Sequence, residues 1–212
     1  MSEQAGRKGL LIIISSPSGA GKSTLCDHLR REEGERLWMS ISMTTRPRRM
    51  SEVDGQDYYF VTRQQFERMV ETGGFLEHAE VFGHLYGTPR EPVEEKLRAG
   101  VDVLFDIDWQ GAEQIAGAVT DARVVSIFIL PPSLEALEDR LKRRAQDSED
   151  TVRFRMSRAR EEIRHWADYD YVLVNDDLDR CFRDLKAIVT AERIHADKQG
   201  PVRALAERLL KE

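Results

Sequence analysis

Only two cysteines occur in 212 residues. Cys26 and Cys181 lie far apart and form no CxxC pair, which excludes a disulfide framework and points to two buried, reduced thiols. Long apolar runs are missing too. The longest, Leu10–Ile14, falls far short of the roughly 20 residues needed to span a bilayer. Met1 to Lys8 is polar, with no apolar segment of the kind a secretory signal carries, so a soluble, cytoplasmic protein with no membrane partner is expected. There is no basic excess either. Lys and Arg number 32 against 38 Asp and Glu, a net charge of −6, which argues against broad nucleic-acid binding, where a basic surface supplies the affinity. None of the five histidines has metal-ligand or catalytic spacing, and His28, His165 and His195 are expected on helix surfaces. No internal repeat or low-complexity linker occurs.

What is present is an alternation of short apolar runs with helical patterns in one chain that is 41% hydrophobic, the signature of a parallel α/β sheet. Leu10–Ser15, Val101–Ile107, Val124–Leu130 and Tyr171–Val174 read as strands, with a fifth around Trp38–Ser42. Helices are predicted over Lys22–Glu33, roughly Gly111–Ala118, Leu134–Arg144, Thr151–His165 and from Leu178 onward. Ser133 is placed to cap one of these, and Thr62 with Gln65 has the capping-box spacing. Thr88-Pro89-Arg90-Glu91 has it as well, with proline at the first helical position. Residues 43 to 98 break the alternation and read as an inserted, partly antiparallel subdomain. Residues 140 to 160 carry a dense set of arginines around a loop at Gln146–Asp150. Past Pro201, residues Val202, Leu205, Leu209 and Leu210 form a short apolar face, to pack on the core or on another subunit. The oligomeric state is thereby left open, a homo-oligomer included.

The first strand runs directly into Ser16-Pro17-Ser18-Gly19-Ala20-Gly21-Lys22-Ser23-Thr24 and then a helix. Glycines at 19 and 21 permit the positive φ and close approach that let backbone N–H groups converge on phosphate oxygens. The helix adds its N-terminal donors and dipole. Lys22 then reaches the β- and γ-phosphates, and the Ser23 hydroxyl is set to ligate Mg²⁺. Ser16 occupies the first position of GxxxxGK[ST] in place of glycine, a small departure. Asp106 and Asp108 end an apolar strand at the edge where parallel sheets bind ligands, and Asp106 is the candidate carboxylate on the Mg²⁺ side. Within the insertion, Arg46 and Arg49 stand three apart among Ser42, Thr44, Thr45 and Tyr58, a fitting cradle for a phosphate dianion.

The runs Ser18–Thr24, Ser42–Arg49, Gly55–Phe60, Tyr86-Gly87-Thr88, Asp106–Gly111 and Val174-Asn175-Asp176-Asp177 resemble, in order, those of guanylate kinases over roughly residues 8 to 190. The resemblance implies transfer of the ATP γ-phosphoryl group to GMP or dGMP, with Mg²⁺. It also implies a three-layer α/β/α P-loop core with a central, mostly parallel five-stranded sheet. The core would span about residues 8–42, 99–140 and 160–212, the GMP-binding subdomain about 43–98 and a helical lid about 141–159. Carried over by residue, Ser42, Arg46, Arg49 and Tyr58 would hold the GMP phosphate with Tyr86 beside it, and Glu77, Thr88 and Asp108 would read guanine. Arg140, Arg144 and Arg155 would reach over the transferred group, and Asn175 would line the adenine pocket. The chemistry agrees: guanine offers adjacent N1–H and amine donors to a carboxylate, where adenine presents a lone pair. The GMP phosphate is already an anionic nucleophile, so no general base is required.

Three other readings fit less well. A kinase for AMP or a pyrimidine nucleotide has no use for Glu77 beside Thr88 and Asp108. A non-catalytic docking module on this fold has no need of an intact Gly19, Gly21, Lys22 and Ser23. A P-loop GTPase would carry an NKxD run, which the sequence lacks.

Overall fold

In the computed structural model, which describes residues 8–81, 83–118, 122–143, 149–195 and 200–211, the β-branched runs are the ones that pair. β1 (Leu11–Ser15), β2 (Leu37–Met39), β7 (Asp102–Asp106), β8 (Val124–Leu130) and β9 (Tyr171–Val174) form a five-stranded sheet in the order β2-β7-β1-β8-β9. Every pairing in it is parallel, one step further than the mostly parallel sheet expected. Central β1 is buried along its whole length, as an uninterrupted Leu-Ile-Ile-Ile run requires of a strand covered on both faces.

Alternate residues of β1 feed two cores. Ile12 and Ile14 pack with Leu25, Cys26 and Leu29 of α1 (Lys22–Glu33) and with Cys181, Leu185 and Val189 of α7 (Leu178–Arg193). Leu11 and Ile13 pack with Val93 and Leu97 of α3 (Arg90–Arg98) and with Ala112 and Ile115 of α4 (Trp109–Ala118). These are the two helical layers of a three-layer sandwich. Burial pushes the Cys26 thiol up to about 12 and the Cys181 thiol up to about 11, so both stay protonated and free.

A second sheet, in the order β4-β3-β6-β5, is built from β3 (Met43–Thr44), β4 (Tyr59–Phe60), β5 (Phe75–Val81) and β6 (His84–Pro89). β6 runs antiparallel to β3 and β5, while β3 and β4 are parallel. α2 (Arg63–Glu71) carries the Thr62–Gln65 capping box. α5 (Leu134–Arg143), capped by Ser133, packs its Leu137 and Leu141 against Val152, Met156 and Ala159 of α6 (Glu149–Ile163).

One local expectation fails, and one left open narrows. The helix after Thr88 takes Pro89 as its N-cap, without a side-chain cap, because the Thr88 hydroxyl is committed elsewhere. On α8 (Gly200–Leu209) and just past it, Val202, Leu205, Leu209 and Leu210 stay exposed, so of the two partners left open for this apolar face the core is not the one it meets.

Candidate active site

The loop after β1 curls where its two glycines allow. Gly19 and Gly21 have φ of 94° and 102°, a region open to glycine at little cost. Space demands glycine as well: a Cβ on Gly21 would stand 2.2 Å from Asn175 Nδ2, and one on Gly19 would stand 3.1 Å from Leu137 and Leu141. Ser16, Pro17, Ser18, Gly19, Gly21, Lys22 and Ser23 line a cavity of about 260 Å³ together with Asp108 and Glu162. Lys22 opens α1 and forms an ion pair with Asp106, across the cleft on β7. Thr24 is exposed one residue beyond Ser23.

Two residues expected at the adenine pocket and over the transferred group, Asn175 and Arg140, both meet the Ala20 carbonyl of the loop. Asn175 is buried and donates its amide N–H to the Ala20 carbonyl at 2.7 Å. Arg140 donates to the Asn175 carbonyl at 2.9 Å and to the Ala20 carbonyl at 3.4 Å. Both therefore brace the loop's outer wall, and Arg140 does not reach over its mouth here. Arg155 lies partly buried on α6, and Arg144 lies outside the described residues.

The second sheet supplies the neighbouring half. Glu77 on β5 is paired in register with Thr88 on β6, and the Thr88 hydroxyl donates to its Oε1 at 2.6 Å. Ser42 Oγ lies 3.4 Å from that hydroxyl. Burial raises the Glu77 carboxyl above the usual range, Thr88 counteracts this, and the charge of Asp108 adds to the rise. Asp108 itself accepts the Gln110 and Gly111 N–H groups at 3.1 Å each, capping α4. Its helix-capping and site-lining roles coexist.

One strand away, the Arg46 guanidinium is held by both oxygens of Glu52, at 2.7 and 3.1 Å. The Tyr58 ring lies 5.4 Å from its centre. Tyr58 and Tyr86 meet edge to face and form the wall beside it. Glu52 also accepts the Arg49 N–H at 2.8 Å, while the Arg49 side chain projects into solvent.

Sequence reasoning singled out neither the part played by Glu52 nor Glu162 at all. For Glu52, spacing six residues after Arg46 within a turn was the available signal. Glu162 comes from α6, far away in sequence. It lines the phosphate-loop cavity, and burial raises its carboxyl above the usual range. Its Oε2 is buried without a hydrogen-bond partner. His165, expected on a helix surface, is partly exposed on the 3-10 turn Arg164–Asp168 and stacks flat on Trp109, the ring centres 3.8 Å apart.

A glycine-cornered loop after a parallel strand, with lysine at a helix N-terminus and a carboxylate on the adjacent strand, defines a P-loop nucleotide-binding protein. Residues 8–192 match the guanylate kinase family. The chain is 52% identical to the guanylate kinase of Agrobacterium fabrum over 206 residues, covering 97% of this chain and 93% of that protein. It is 56% identical to that of Cereibacter sphaeroides over 193 residues, 91% of each. The crystal structure of guanylate kinase from Anaplasma phagocytophilum superposes with a TM-score of 0.76 at 39% identity, covering 95% of both chains. The chain belongs to the guanylate kinase family, the ATP:GMP phosphotransferases. Among the described residues no helix is long and apolar enough to cross a membrane.

Proposed function

We propose that this chain moves the ATP γ-phosphoryl group to GMP in the cleft between its two sheets, with the labour divided by element. The observation that carries this reading is one small sheet bearing both readers, the base reader on β5 and β6 and the anion reader just past β3, which pairs with β6. Glu77, held by Thr88 beside Asp108, presents an acceptor for the two adjacent donors of guanine. Because the Thr88 proton is given to Glu77, Thr88 serves by aiming the carboxylate. Arg46, fixed by both oxygens of Glu52, takes the GMP phosphate with Ser42, Arg49 and Tyr58. Residues 43 to 98 then act as the GMP-binding subdomain and residues about 141 to 159 as the lid.

On the donor side, backbone N–H groups of residues 18 to 23 and the Lys22 ammonium hold the ATP phosphates. Ser23 and Asp106 are the residues suited to Mg²⁺. Among the described residues no cluster of three or more His, Cys, Asp or Glu could hold a metal ion. An oxygen pair that shares its ion with substrate phosphates is the ordinary arrangement for Mg²⁺. When bound, the ion neutralises charge on the phosphates. The protein's own part is to align the two nucleotides, with Lys22 and the arginines neutralising charge and the closed cleft excluding water. A cytoplasmic location fits these substrates.

Coupled assays with GMP and ATP test the division. Excess EDTA is expected to abolish transfer. Arg46→Met is expected to raise the KM for GMP roughly tenfold to a hundredfold, the weight of lost charge-assisted hydrogen bonds, with the KM for ATP held. An equal rise in both KM values would remove Arg46 from the GMP phosphate site.

A further inference from the structure

β5 is the edge strand of the second sheet, yet the backbone of His78 on its free side is not left to solvent. The His78 N–H donates to Gln114 Oε1 at 3.0 Å, and Gln114 Nε2 donates to the His78 carbonyl at 3.1 Å. One side-chain amide thus stands in for a neighbouring strand, fastening β5 to α4. His78 directly follows Glu77. One helical turn before Gln114, on the same face of α4, Gly111 leaves room for the carboxylate: a Cβ there would lie 3.2 Å from Glu77 Oε2. Asp108 caps the same helix through Gln110 and Gly111. A single helix therefore carries Asp108, the space for Glu77 and the clamp on the strand that bears Glu77.

The geometry points to Gln114 and Gly111 as positioning residues for guanine recognition: they set where the Glu77 carboxylate stands relative to Asp108. The inference rests on Glu77 being the guanine reader. Neither residue touches the transferred phosphoryl group. Their effect is on geometry, where a displacement of about 1 Å can cost on the order of a hundredfold. A loosened β5 edge would let Glu77 drift from the N1–H and amine donors, and the loss would fall on the substrate that offers both.

The test compares kcat/KM for GMP with that for inosine monophosphate, which is GMP without the exocyclic amine. Gln114→Met keeps side-chain length and helix preference while removing both hydrogen bonds. Gly111→Ala improves helix propensity while crowding Glu77. Both are expected to lower the GMP-to-inosine-monophosphate preference by roughly tenfold or more, mainly through the KM for GMP, with the KM for ATP within about twofold of wild type. A purely structural role would lower thermal stability and leave that preference intact. Glu77→Gln serves as the reference. If it collapses the preference while Gln114→Met and Gly111→Ala both retain the wild-type ratio, the clamp is overturned and the guanine reading stands. If Glu77→Gln leaves the ratio unchanged, the guanine reading fails and the clamp with it.

Discussion

Lys22→Ala is expected to lower kcat by about a thousandfold or more, because a fixed cation aimed at developing charge is worth several kcal/mol in a water-excluded site. The neighbourhood makes the loss steeper. Lys22 pairs with Asp106, so its removal leaves a carboxylate unneutralised beside the ATP phosphates, and Glu162 already brings another to the same cavity. The fold should hold. Lys22 is the first residue of α1 and its side chain is partly exposed, so the thermal midpoint is expected to stay within about 3 °C of wild type. Steady-state kinetics beside a melting curve checks both. Turnover retained to within tenfold would remove Lys22 from the transfer step.

The second large effect is on stability and lies at the other end of the sheet. Arg193 on α7 donates to Asp102 at 2.7 Å and to Glu33 at 2.7 Å. Both carboxylates are almost fully buried. Asp102 also accepts the Leu10 N–H at 2.8 Å, fastening the residue before β1 to the start of β7. The three side chains join α1, α7 and the central strands. Arg193→Met would take from both buried carboxylates the guanidinium they share. Breaking a buried charge network in this way costs about 3–5 kcal/mol. For a chain of this size that is a drop of roughly 6–20 °C in melting midpoint. Because the network sits at the N-terminal ends of the strands, away from the phosphate loop, kcat of the folded enzyme is expected to be unchanged at low temperature. Thermal melts at pH 7 check this, and a drop below about 2 °C would contradict a structural charge network.

The parts of this protein that were legible in sequence are the local ones. Ile12 to Ile14 could only be a strand covered on both faces. Gly19 and Gly21 before Lys22 could only be a phosphate turn. Thr62 with Gln65 formed the capping box its spacing announces. Thr88 had the same spacing and went elsewhere, because a buried carboxylate eleven residues away outbid the helix terminus for its hydroxyl. That failed cap was itself a pointer to the site. Arg140, Asn175, Glu162 and Gln114 were unreadable in detail for one reason. Each owes its role to a partner far along the chain: Ala20 for the first two, the phosphate-loop cavity for Glu162 and His78 for Gln114. Periodicity says which face a side chain is on. Only the packing of α5, α6 and the segment after β9 around the loop says what it meets there.

The most direct measurement is kcat/KM for GMP and for AMP with saturating MgATP, taken side by side on wild type and Glu77→Gln. Guanine read by Glu77 beside Asp108 requires a wild-type preference for GMP of at least about a hundredfold, the scale of a donor–acceptor mismatch in a buried polar site. It also requires a fall of at least about tenfold in that preference on Glu77→Gln. Comparable wild-type rates on the two nucleotides, or a preference that survives Glu77→Gln intact, would contradict it.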